Sequence, residues 1–170
     1  MKKIVFIGIV TLLFISGCGK SSSGSTFDKS KYEKYTCSLY SQGSFSDSNG
    51  DKIFEYYYDK NGDVAFTEST FTRRPDVDEY YSLKVKDTEG YFDGVVKTLN
   101  EVDNVSATTE YDSAKKEAKL VVTVNMKGFK YPAETDSSYM LYLNVYFGGK
   151  DSLTINDVKG RLENTSYNCE

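Results

Sequence analysis

The chain has no histidine and no tryptophan, and only two prolines and three cysteines among its 170 residues. Without histidine there is no Ser-His-Asp or Cys-His arrangement to activate a nucleophile, and the usual zinc ligand set lacks its imidazoles. The cysteines are far apart, with no Cys-x-x-Cys spacing, which argues against a catalytic dithiol. Basic residues are too few for a nucleic-acid face: 21 Lys and Arg stand against 25 Asp and Glu, for a net charge of −4. There is no glycine-rich phosphate loop, no heptad repeat and no second long apolar run. A pair of carboxylates facing each other across a cleft stays open as a hydrolytic device, but no spacing in the sequence singles out such a pair.

What is abundant is aromatic side chain: 15 Tyr and 10 Phe bring the aromatic share to 15%. With proline scarce, this is a β-rich composition with enough apolar mass for a core.

The N-terminus has a separate character. Met1-Lys2-Lys3 precedes the apolar run Ile4 to Ile15, interrupted only by Gly8 and Thr11. Such a run is too short for a hydrocarbon core of ~30 Å, which takes roughly 20 apolar residues. It fits the hydrophobic region of an export signal. Ile15-Ser16-Gly17-Cys18 follows, which resembles the lipobox of bacterial lipoproteins: an aliphatic residue, two small residues and the cysteine whose thiol carries diacylglycerol. An ordinary secretory signal with a chance cysteine is the alternative. Small and polar residues from Gly19 to Thr26 suit a tether. The sequence therefore divides into a signal peptide (1–17), a lipidated N-terminus and flexible tether (18–34) and one domain (35–170). Removing 1–17 leaves 19 basic against 25 acidic residues, net −6; residues 18–34 hold four lysines against Asp28 and Glu33, net +2, so 35–170 carries −8.

Cys37 and Cys169 are the cysteines left once Cys18 is assigned to lipid. In an exported domain an even pair reads as a disulfide, here closing nearly the whole domain; two free thiols are the alternative.

Along the domain, strand patterns cover 35–41, 52–58, 64–73, 105–111, 119–126 and 139–147, each with apolar or aromatic residues at alternate positions. Asp47-Ser48-Asn49-Gly50-Asp51 and Asp59-Lys60-Asn61-Gly62-Asp63 separate the first three as hairpin turns, because Asn and Gly both accept positive φ. Residues 76–85 fit a short strand or a loop equally. A helix is expected after Thr88, a candidate cap, with Phe92, Val95, Val96 and Leu99 as its apolar stripe; a second runs over 154–163 with Ile155, Val158 and Leu162. The expected fold class is α+β, an antiparallel sheet of about six strands with two helices packed on one face.

The order of elements, the lipobox, Thr36-Cys37-Ser38 near the start of the domain, the Tyr-rich hairpin and the ending Tyr167-Asn168-Cys169 together resemble small Gram-positive lipoproteins related to the YehR-like lipoprotein family. The resemblance implies fold and location, and no activity. It carries over Cys18 and the Cys37/Cys169 pair alone.

Two further patterns bear on function. Both Asp-x-Asn-Gly-Asp turns look like the front of a calcium loop, but glycine falls at the fourth position, and Tyr58 and Thr70 stand where a bidentate Glu is wanted. Plain hairpin turns are the expectation. Tyr56-Tyr57-Tyr58, Tyr80-Tyr81 and Tyr139/Tyr142/Tyr146 would form a contiguous exposed patch if the sheet bound a protein or glycan; the rival is that Tyr fills ordinary sheet positions. The sequence leads to a non-catalytic binding or accessory domain on a lipid anchor at the cell membrane, facing outward. No catalytic, cofactor or metal residue is expected, and the partners are the membrane and an envelope protein or glycan. A structural lipoprotein of an envelope complex is the alternative, with a carboxylate-dependent hydrolase behind it.

Overall fold

Alternating polar and apolar residues over 52–58 and 64–73, joined by five turn-forming residues, produce the central hairpin of the protein. The computed structural model describes residues 27–40, 50–73, 90, 92–115, 117–132, 142–143, 150–162 and 165–170. Its strands are β1 (Glu33–Leu39), β2 (Lys52–Tyr58), β3 (Val64–Arg73), β4 (Val105–Asp112), β5 (Glu117–Asn125) and β6 (Asn168–Cys169). The helices are α1 (Asp93–Leu99) and α2 (Ile155–Leu162). All pairings are antiparallel, and the six strands form one sheet in the order β4-β5-β3-β2-β1-β6. The fold class is α+β.

Register explains the core. Ala107, Val122, Ser69, Phe54 and Cys37 stand opposite one another across the sheet, with Cys169 beyond Cys37. The next row on the same face is Val105, Val124, Thr67, Tyr56 and Tyr35. Both helices bury their stripes in this same core: Val95 and Leu99 from α1, and Ile155, Val158 and Leu162 from α2. The opposite face carries Ser106, Thr123, Glu68, Glu55 and Thr36 in one row, and Thr108, Val121, Thr70, Ile53 and Ser38 in another. The hydroxyl of Thr67, on the core face, is buried and makes no hydrogen bond.

Several expectations are corrected. The sixth strand is β6, two residues paired with β1 at Cys37 and Ser38, and not the run 139–147. Of that run only Tyr142 and Leu143 are described, and both are helical, with Leu143 fully buried; alternation over a short apolar run does not separate a buried helical turn from a strand. Helix α1 begins at Asp93 with Phe92 at its N-cap position and no side-chain cap, while Thr88 lies outside the described residues. The turn 59–63 uses positive φ at Gly62 alone. Asp59 Oδ1 accepts the amides of Asn61 and Asp63, and the register shifts by one residue after Tyr57, as in a bulged hairpin loop. The domain also starts earlier than 35. Strand β1 opens at Glu33, and residues 27–32, placed in the tether by their polarity, pack on the sheet.

Candidate functional site

Cys37 and Cys169 face each other on the adjacent strands β1 and β6, with Cα atoms 4.1 Å apart, and form a disulfide between positions 132 residues apart. Backbone bonds between Thr36 and Glu170, one in each direction at 2.8 and 2.9 Å, hold the C-terminus against the strand beside it. Cys37 is completely buried. Cys18, with the whole of 1–26, lies outside the described residues.

The outer face of the sheet carries a cluster of charged and aromatic groups. Tyr57 and Phe66 are paired neighbours on β2 and β3. The Phe27 ring stacks on Phe66 with centroids 4.5 Å apart and on Tyr32 at 4.7 Å, and meets Tyr57 edge-on at 6.2 Å. A short 3-10 turn, Lys29–Lys31, follows, with Asp28 accepting from the Ser30 amide. It sends Lys29 Nζ to Glu68 Oε2 at 2.7 Å while holding the ammonium 4.9 Å from the Tyr57 ring centre and 5.6 Å from that of Phe66. Burial alone would lower the Lys29 pKa, but the Glu68 carboxylate outweighs it and the pKa is raised. Beside it, Lys34 Nζ lies 2.8 Å from Glu55 Oε1, and Tyr57 Oη donates to Glu55 Oε2 at 2.8 Å. Burial raises the Glu55 pKa, but these bonds reverse the shift and it is lowered; Tyr57 is pushed up, by burial first and then by Glu55. The result is a clip: residues 27–32 cross the outer face, cover its aromatic pair and lead directly into β1.

The clip and the core between them account for most of the described tyrosines. Tyr56 is buried in the core and Tyr57 under the clip, at 2% and 6% exposure. Tyr35, Tyr58, Tyr131, Tyr142 and Tyr167 are half-buried against the core. Among the described residues only Tyr40 and Tyr111 are exposed large apolar side chains, at 59% and 38%. Tyr40 lies just beyond β1 and Tyr111 on β4, strands separated by three others. The expected contiguous patch is therefore absent from the described residues; Tyr80, Tyr81, Tyr139 and Tyr146 lie outside them. Sequence reasoning missed Phe27, Lys29 and Tyr32. The available signal was two aromatic rings within six residues of a stretch otherwise suited to a tether.

An open groove of about 550 Å³ lies at the C-terminal end of α1, lined by Thr98, Glu101, Val102, Asp103, Gly128, Lys130 and Pro132. It contains two carboxylates, Glu101 and Asp103, and both are exposed. In the turn 59–63, Asp59 is committed to backbone amides. Among the described residues no group of three potential ligands could hold a metal ion, and no helix is long and apolar enough to cross a membrane.

No family model matches the chain, and no curated protein does. Among solved structures, the NMR structure of a protein from Streptococcus pneumoniae TIGR4 is similar over 100% of this chain and 98% of that one, at 12% identity and a TM-score of 0.45.

Proposed function

We propose that the protein is a cell-envelope lipoprotein, anchored through diacylglycerol on Cys18 at the outward side of the cell membrane, whose domain is a non-catalytic accessory module. The observation that supports this most is the division of the cysteines. Two of the three stand together as Cys37–Cys169, and the odd one is the residue that ends Ile15-Ser16-Gly17-Cys18. A disulfide closing the whole domain fits a space outside the reducing cytosol. Two acyl chains on one glyceride, at ~0.8 kcal/mol per buried CH₂, hold a protein to a bilayer where a single chain does so marginally.

Tyr56 and Tyr57 are buried, and no contiguous tyrosine patch stands among the described residues, which favours the accessory role within an envelope complex over ligand binding through this part of the sheet. The groove beside α1 remains available to a protein partner. Metabolic labelling with an alkyne fatty acid tests the anchor: the wild-type chain takes up label in the membrane fraction and the Cys18→Ala chain does not. Equal labelling of both, or of neither, overturns the reading.

A further inference from the structure

We infer that the free edge of β4 is a pairing surface for a second copy of this chain, held closed by the side chain of Asn100. The inference stands apart from the lipid-anchor reading.

Strand β4 is the outermost strand of the sheet and pairs on one side alone, with β5. Such an edge presents a row of N–H and C=O groups that another strand can join. The direction of each group follows from one bond. The Asn125 amide donates to the Asn104 carbonyl at 2.9 Å, one step before Val105 and Val124 in the same register. Alternation then turns the backbone groups of Ser106, Thr108, Glu110 and Asp112 toward β5. Those of Val105, Ala107, Thr109 and Tyr111 face the open edge.

Two of these four positions are closed from within. The Val105 amide donates to the Val102 carbonyl at 3.2 Å. At Ala107 both groups are taken by one side chain: Asn100 Oδ1 accepts the Ala107 amide at 2.7 Å, and Asn100 Nδ2 donates to the Ala107 carbonyl at 3.0 Å. A facing residue in an antiparallel strand would make the same two bonds. Asn100 is placed for this as the C-cap of α1, where its own amide still bonds the Val96 carbonyl. Among the described residues none bonds to the edge-facing groups of Thr109 and Tyr111, and Glu110 and Tyr111 are exposed.

The residues of β4 decide which strand fits the edge once Ala107 is released. Two copies pairing antiparallel can place Thr109 opposite Thr109. Ala107 then faces Tyr111, Thr108 faces Glu110 and Ser106 faces Asp112, so hydroxyls stand across from carboxylates and no acid faces an acid. Tyr111, an exposed ring in the single chain, is covered against Ala107. Registers that spare Ala107 slide toward the strand end and set Glu110 against Glu110 or against Asp112. Lys119 and Lys115 pair with these acids at 3.6 and 3.1 Å, which softens their repulsion. The favourable register therefore needs Ala107, and Asn100 is what withholds it.

The test uses the full chain in a non-ionic detergent, with sedimentation to read mass and amide exchange to read the edge. In the wild type the Ala107 amide is expected to exchange slowly and those of Thr109 and Tyr111 fast, at every protein concentration. In Asn100→Ala at low concentration the Ala107 amide should become fast as well. At high concentration the variant should self-associate at least about tenfold more tightly than the wild type, and all three amides should slow together. Thr109→Pro added to that variant removes an edge amide that β5 does not use, so association should be lost while the fold remains. A variant that merely unfolded and aggregated would neither slow these amides nor respond to the proline. Asn100→Ala sedimenting like the wild type overturns the inference. So does association without protection at 109 and 111, association that survives the proline, or a wild type already protected at both positions.

Discussion

The two faces of the sheet are covered in different ways. The inner face packs against α1, α2, Leu143 and Leu153, and most inward side chains from Val105 to Cys37 are apolar and buried, with Thr67 and Ser69 the buried polar exceptions. The outer face is hydroxyl-rich and charged, and among the described residues it is covered over Tyr57, Phe66 and Glu68 by six residues from the N-terminal side. Tyr56, Tyr57 and Tyr58 show the difference most directly. They follow one another on β2, so Tyr56 and Tyr58 point inward and Tyr57 outward. Yet Tyr57 is as much a buried residue as Tyr56. Its cover is Phe27 and Lys29, some 30 positions earlier, whereas Tyr56 lies in the core cluster with Arg161 of α2 and Tyr167 near it. Alternation tells which face a strand residue takes; it does not tell what lies on that face.

If the inner layer is the stabilising one, the largest loss should come from its covalent edge. Replacing Cys37 and Cys169 together by Ala, which leaves no stray thiol, frees the C-terminus from β1. For a separation of 132 residues the chain-entropy relation gives about 5 kcal/mol, an upper figure because unfolded chains keep some structure. Urea denaturation should show a midpoint lowered by most of that amount. A change under about 1 kcal/mol would mean that β6 and α2 hold the edge without the bond.

The outer clip should cost less to break. Phe27→Ala removes a half-buried ring and its two stacked neighbours, worth about 1–2 kcal/mol from area and ring pairing. The Lys29–Glu68 pair is part-exposed, and such pairs contribute at most about 1 kcal/mol. In urea the variant should unfold at a slightly lower midpoint with an unchanged slope, and the Tyr57 side chain should become accessible to solvent in the native state. A loss as large as that from the cysteine pair would erase the distinction between a face closed by the core and one covered by a short clip.

Much of the inner layer is legible in the chain. Strands β2 and β3 occupy the ranges their alternation marks, the stripe Val95 and Leu99 is the buried side of α1, and Ile155, Val158 and Leu162 are that of α2. These signals are local and periodic. What escapes sequence reasoning is what periodicity cannot carry. Strand β6 has two residues and exists because a disulfide and the Thr36–Glu170 backbone bonds hold it beside β1. Tyr142 and Leu143 continue an alternating run and are nonetheless helical. The clip looks like tether because Asp28, Lys29, Ser30 and Lys31 are polar, and the partners that organise it, Tyr57, Phe66 and Glu68, come from two other strands. The Cys37–Cys169 pairing could be named from counting cysteines, whereas the burial of Tyr57 could not be seen until Phe27 was placed.

The smallest effect separates the two faces by pH. The inner cover has its own polar lock at the start of α2. Thr154 Oγ1 accepts the Asp157 amide, Asp157 Oδ2 accepts from the Thr154 amide and hydroxyl, and Lys150 Nζ lies 3.0 Å from Asp157 Oδ1. This is a reciprocal cap at a helix N-terminus. The Thr154 hydroxyl bond first, then Lys150, lowers the Asp157 pKa from 3.8 to about 2. Because the folded value lies below the unfolded one, the carboxylate favours the folded state at any pH above about 3.8, and that contribution fades as the pH falls toward 2. Amide exchange in the first turn of α2 should therefore stay slow down to about pH 4 and accelerate, relative to the rest of the core, between there and pH 2. In Asp157→Ala the same amides should exchange faster at neutral pH and show no extra step in acid. An acid step of equal size in the variant would place the titrating group elsewhere, and Glu55, whose carboxyl is also held below its usual value, would be the next to replace.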